Sequence, residues 1–243
     1  MYLSSYEEKV LQDLLNWQQK MQKQPNLADK ASKAVQDKIN KIIPEKVHQV
    51  VTATIKQMTR AVLTGAEFTT PNVVRPDTLE GIENAVKKKI EFYKKAGAAE
   101  GGITGAGGFL LSMADFPILI GIKVKLLFEI AAIYGYDVKN FKERLYILYI
   151  FQLAFSSSNS ASKVFLHLQD WNTKQDILPD NPDNFDWKTF QQEYRDYIDI
   201  AKLAQLLPFV GAAVGAVSNY QLLKKLGKTA MMAYRMREAA FQD

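Results

Sequence analysis

The chain has 243 residues, 47% apolar and 23% charged, a globular balance that argues against both a disordered polymer and a polytopic membrane protein. It contains no cysteine, which excludes a disulfide framework, a thiolate metal site and a cysteine nucleophile, and fits a reducing compartment. The net charge of +5 arises wholly in residues 1–98, which carry 16 Lys and Arg against 11 Asp and Glu, while residues 99–243 carry 15 of each.

A basic section of this kind suits an anionic membrane surface or an acidic partner, and equally a lysine-rich solvated helix face. Nucleic acid is set aside as a partner. Arginines are few, aromatics are not interleaved with the basic residues, and no zinc-finger or RNA-binding-sheet motif is present. The opening residues lack the basic stretch and apolar run of a secretory signal, so export by that route is not expected.

Tyr6, Val10, Leu14, Trp17 and Met21 fall three and four residues apart and predict an amphipathic helix over residues 4–23. Ser4 with Glu7 forms a capping box at its start. A second helical stretch runs from about 27 to 63, kinked near Pro44, with Val47, Val51, Ile55, Met58 and Val62 on its stripe. Residues 65–76 are rich in turn formers, and Asp77 or Thr78 can cap a third helix whose inner face is Leu79, Ile82, Val86, Ile90 and Tyr93.

The composition changes at Gly97, and residues 101–114 are uncharged and glycine-heavy. Asp115, Phe116 and Pro117 are expected to interrupt this run, with Asp115 capping an apolar helix from 118 to 134 that Gly135 ends. A helix over 138–155 follows, apolar or aromatic all round at 145–151 and therefore expected to lie centrally. Residues 156–162 read as a polar break, 163–171 as a short helix and 172–185 as a loop. Asp186 is expected to cap a helix from 187 to 206, and the last element is predicted as a polar helix over 228–241. No alternation of apolar and polar residues suggests a strand. The fold class is therefore all-α: one domain over 1–243 of about eight helices, with basic amphipathic helices over 1–96 and a glycine-motif core of central apolar helices over 97–243.

Several motifs are tested and set aside. Residues 203–223 hold no charge and would span roughly 31 Å as a helix, close to a bilayer core, but Gln205, Pro208, Ser218, Asn219 and Gln221 favour a buried helix in which Gly211 and Gly215 let a neighbour approach. The run Gly101 to Gly108 has neither the Gly-Lys-Ser/Thr of a P-loop nor a dinucleotide fingerprint, so no nucleotide cofactor is expected. His48 and His167 have no second histidine within a helical turn, and no metal site is expected. Ser156, Ser157 and Ser158 sit in no nucleophile elbow.

Two ordered blocks carry a resemblance. Glu100-Gly101, Thr104-Gly105, Gly108, Ala114-Asp115, Pro117 and Ala131 through Tyr134-Gly135-Tyr136-Asp137 form the first. Leu207-Pro208, Gly211-Ala212, Gly215-Ala216, Asn219-Tyr220 and the closing pair Arg235 and Arg237 form the second. Together they resemble the EcsC protein family over most of the chain. The resemblance implies a cytoplasmic or membrane-peripheral accessory protein, since the founding bacterial member is encoded beside the components of an ABC transporter. It carries over no catalytic residue, only motif positions: Glu100, Thr104, Gly105, Gly108, Asp115, Asn219, Tyr220, Arg235 and Arg237.

Two functional readings follow. In the first, the chain is not an enzyme and associates with an anionic membrane surface, on its inner face, or with a membrane protein complex. In the second, it is a hydrolase in which Glu100 and Asp115 converge beside the backbone of Thr104 to Gly108 as a paired acid and base.

Overall fold

The computed structural model describes residues 3–23, 45–64, 74–106, 109–179, 182–199, 203 and 212–241, with backbone alone at 98–106, 109–114, 212–216 and a few other positions. Nine α-helices account for most of these residues: α1 (Ser5–Gln22), α2 (Glu45–Thr64), α3 (Leu79–Ala106), α4 (Phe109–Ile133), α5 (Phe141–Phe155), α6 (Ser158–Leu168), α7 (Trp171–Lys174), α8 (Trp187–Tyr197) and α9 (Ala212–Arg235). Among the described residues the only extended pairing is one isolated bridge, Ser156 to Ile198.

The caps are where local chemistry places them. Ser4 accepts from the Glu7 amide at 3.2 Å and the Glu7 carboxylate accepts from the Ser4 amide at 2.7 Å, so both arms of the capping box are made. Thr78, not Asp77, caps α3, its hydroxyl accepting from the Gly81 amide at 3.1 Å. Asp186 accepts from the Thr189 amide at the start of α8. Gly135 ends α4 with φ +89°, its amide reaching the Ala132 carbonyl while the Tyr136 amide reaches that of Ala131. That nested pair of bonds is a Schellman closure, and its left-handed residue is a glycine because a Cβ there is strained.

Several predicted boundaries are corrected. α4 begins at Phe109 and passes through Pro117, so Asp115 lies inside the helix and does not cap it. Proline removes one backbone bond; burial of Phe116, Leu119 and Ile120 beside it favours the continuous helix. α5 starts at Phe141, since Asn140 caps there and the preceding residues form a turn. The break after α5 is confined to Ser156 and Ser157, because the Ser157 hydroxyl caps α6 immediately; α7 then opens the segment read as loop. α8 stops at Tyr197, where Ile198 pairs with Ser156 and the Asp199 amide donates to the Phe155 carbonyl at 3.0 Å. The separate helix expected over 228–241 is instead the end of α9, followed by a short 3₁₀ turn at Ala239–Phe241. The glycine at 227 does not break α9, because Leu223, Leu226 and Ala230 continue its buried stripe.

α4 and α5 form the centre. Their side chains from Phe116 to Ile133 and from Leu145 to Phe155 supply much of the core. α9 packs along α3 and also meets α4 and α5; α2 covers α4 and α5; α6 covers α5, and α1 crosses α6 with further contacts to α3 and α9. The register of α3 against α9 is antiparallel: Glu83 meets Arg235, Ile90 meets Gly227, and Gly97 meets Asn219 and Leu223. Among the described residues no helix is long and apolar enough to cross a membrane. Within the segment 203–223, residues 204–211 lie outside the described residues and 212–223 form the first half of α9; Leu203, Leu222 and Leu223 are buried and Val217 is exposed.

Candidate functional site

Asn219 stands at a three-helix junction. Its amide nitrogen donates to the Gly97 carbonyl of α3 and its oxygen accepts from the Lys123 ammonium of α4, each at 2.5 Å. Lys123 is fully buried and also donates to the Leu119 carbonyl at 3.1 Å. An ammonium taken out of water needs such acceptors, so the position of α4 is fixed to that of α9 by the cost of leaving them. Gly97 makes the junction fit: a Cβ there would lie 2.5 Å from Leu223 Cδ1 and 3.0 Å from Asn219 Nδ2. The neighbouring Tyr220 presents its ring 4.3 Å from the Lys94 ammonium, which pairs with Glu91.

Arg235 and Arg237 close the other end. Arg235 grips the Glu83 carboxylate with Nε at 2.6 Å and Nη2 at 2.7 Å, a bidentate pair that is almost wholly buried. The Tyr6 hydroxyl donates to the same carboxylate at 2.7 Å and accepts from Lys87, which brings α1 into the network. Burial first, then the Glu83 carboxylate, pushes the Tyr6 phenol well up, so it stays a donor. Arg237 donates to Glu143 at 2.6 Å, and the Tyr234 hydroxyl donates to the other oxygen at 2.7 Å. The guanidinium lies 3.8 Å from the Tyr136 ring centre and 4.5 Å from that of Tyr146. Desolvation raises the Glu143 carboxyl despite the opposing pull of Arg237 and Tyr234, and burial pushes Tyr136 up to about 12.

Of the positions singled out in the sequence, the structure brings Asn219 and Tyr220 to one junction and Arg235 and Arg237 to adjacent ion pairs. Glu100, Thr104 and Gly105 lie in the last turns of α3, where only backbone is described, and Gly108 lies outside the described residues. Asp115 is half-buried near the start of α4. Gly211 is outside the described residues, and Gly215 is described by backbone alone. The glycines seen to admit a neighbouring helix are Gly97 and Gly227, the latter with Ile90 Cδ1 2.6 Å from where its Cβ would stand.

Sequence reasoning missed Glu83, Glu143 and Lys123 as partners. The signal for Glu83 was its place on the inner stripe of α3, between Leu79 and Val86 at helical spacing, and for Lys123 it was a charge in a mostly apolar helix; Glu143, flanked by Lys142 and Arg144, gave no such signal. A charge held at an inward position needs a partner of opposite sign or strong hydrogen bonds.

The fold and its buried ties thus define a helical protein whose C-terminal motif fastens three long helices together. The EcsC protein family matches residues 8–238, and the chain belongs to that family. It is 44% identical over 232 residues to Protein EcsC of Bacillus subtilis (strain 168), covering 94% of each chain. It is also 31% identical over 142 residues to the uncharacterized protein YdbA of the same organism, covering 58% of this chain and 52% of that one. No solved structure gives a significant match.

Proposed function

We propose that the chain is a non-enzymatic accessory protein that works at the periphery of a membrane, on its inner face, in connection with an ABC transporter or a secretion system. The observation that carries this reading is how the C-terminal motif is used. Asn219, Tyr220, Arg235 and Arg237 direct their polar groups to partners within the chain, so these four hold helices in register. Groups spent in this way do not stand ready to meet a substrate, and the surface left for a partner is the charged exterior of the helices they position.

Fractionation of cells producing the tagged chain tests the proposal. A share of the protein is expected in the membrane fraction and is released by a high-salt wash, and Glu100→Gln and Asp115→Asn are expected to support the same cellular phenotype as the parent. Complete recovery in the supernatant under every condition overturns the membrane reading. Loss of phenotype in folded Asp115→Asn overturns the non-enzymatic part and favours a carboxylate-dependent hydrolase.

A further inference from the structure

The outward side of the α3–α9 pair combines bare ammonium groups with exposed apolar side chains. On α3, Asn84, Lys88, Glu91 and Lys95 follow at spacings of four, three and four and form one solvent-facing stripe. On α9, Val217, Gln221, Lys224 and Lys228 repeat the same spacing. The two stripes adjoin. Lys224 of α9 lies near enough to Glu91 of α3 to help hold that carboxyl below its usual range, after the hydrogen bond from Lys94.

Among the described side chains the acids do not balance this face. Glu91 is engaged by Lys94 at 2.5 Å, and Glu80, at the start of α3, stands about two turns before Lys88, the first lysine of the stripe. α9 contains no acidic residue between Ala212 and Arg235. Lys88, Lys95, Lys224 and Lys228 are exposed and make no ion pair among the described residues. Phe92 is 62% exposed, with its ring set edge-on against Tyr93 at 5.3 Å, and Val217 is also 62% exposed. Asn84, Lys87, Lys88, Glu91, Phe92 and Lys95 border an open, shallow depression of about 600 Å³.

We propose that this face binds the anionic headgroups of a lipid bilayer, with Phe92 and Val217 entering the boundary between headgroups and acyl chains. The inference rests on the membrane-peripheral reading and names the surface that performs it. An open face two helices wide suits a flat partner better than a peptide that needs a groove. Lysines on long flexible stems beside protruding apolar groups are what an interfacial helix uses, the ammonium meeting phosphate while the stem covers apolar surface. Each lysine brought to an anionic surface strengthens binding roughly fivefold, an effect that salt screens.

Co-sedimentation of the full chain with vesicles tests this. Binding is expected to vesicles of phosphatidylcholine and phosphatidylglycerol in equal parts, to be absent with phosphatidylcholine alone, and to weaken as salt rises. Lys88→Gln combined with Lys224→Gln should weaken it about 25-fold, fivefold per removed charge, with the melting temperature of the parent retained. Phe92→Ala should weaken it severalfold at high salt as well, because apolar burial is not screened. Lys9→Gln with Lys20→Gln, which removes the same charge from α1, should have a much smaller effect; an equal loss contradicts the assignment to this face. If no anionic vesicle binds while the chain still fractionates with membranes in cells, the lipid contact is overturned and a membrane protein holds the chain instead. If both associations are absent, the membrane reading falls with it.

Discussion

Arg235 reaches back across 152 residues of sequence to hold Glu83 in a buried, bidentate ion pair, and in doing so fixes one end of α9 against the start of α3. The Glu83 carboxylate is fully buried and the donor of its third hydrogen bond, Tyr6, comes from α1. Three helices distant in sequence are therefore registered by one carboxylate.

Removing one member of such a pair leaves an uncompensated charge inside the protein. Glu83→Leu is expected to destabilise by about 3–5 kcal/mol, and Arg235→Met by a similar amount, whereas the double variant Glu83→Leu with Arg235→Met should recover most of the loss. Urea unfolding of the four proteins measures this as a double-mutant cycle. Additive losses would mean that the two side chains are not coupled in the folded state.

The Glu143 carboxyl supplies a pH signature. Its value is raised in the folded state by desolvation, with Arg237 and the Tyr234 hydroxyl pulling it down. Carboxyl ¹³C NMR is therefore expected to show it titrating above the ordinary glutamate value of about 4.3, and higher still in Arg237→Gln or Tyr234→Phe. A raised folded value means that the folded state binds the proton more tightly. The associated stabilisation is present in full below the unfolded pKa and is lost as pH rises through the folded one. Arg237→Gln should consequently lose most stability at neutral pH and regain part of it on acidification through that window. A Glu143 titration at or below the ordinary value contradicts this arrangement.

Two glycines give opposite signs on the same substitution. Gly121 of α4 has nothing within 4 Å of a built Cβ, so Gly121→Ala should stabilise by up to about 1 kcal/mol through helix propensity alone. At Gly227 a Cβ would stand 2.6 Å from Ile90 Cγ1, and Gly227→Ala should destabilise despite the same propensity gain, since overpacking costs about 1–3 kcal/mol. Thermal melts of the pair decide it; stabilisation at both positions would mean that α3 and α9 are not in close contact there.

The amphipathic helices were legible because their apolar spacing is a local property. Tyr6 to Met21, Val47 to Val62 and Leu79 to Tyr93 each mark one stripe, and Ser4 and Asp186 act only on the turn that follows them. Pro117 misled because it reads locally as a break, while burial of Phe116 beside it is a tertiary effect that outweighs it. Arg235 and Arg237 were visible as motif positions, but their partners Glu83 and Glu143 were not, since no sequence spacing announces an ion pair across 152 or 94 residues.

Because the chain has no cysteine, a single engineered disulfide can test whether the motif-held pair α3–α9 acts as a preformed outer face. Ile90→Cys with Gly227→Cys places two thiols where the helices already touch. The pair is expected to oxidise readily to an intramolecular crosslink, seen as a mobility shift that reductant reverses, and the locked protein is expected to sediment with anionic vesicles as the parent does. A failure to crosslink contradicts the register, and a locked protein that no longer reaches the membrane until it is reduced would show that the helices must part to function.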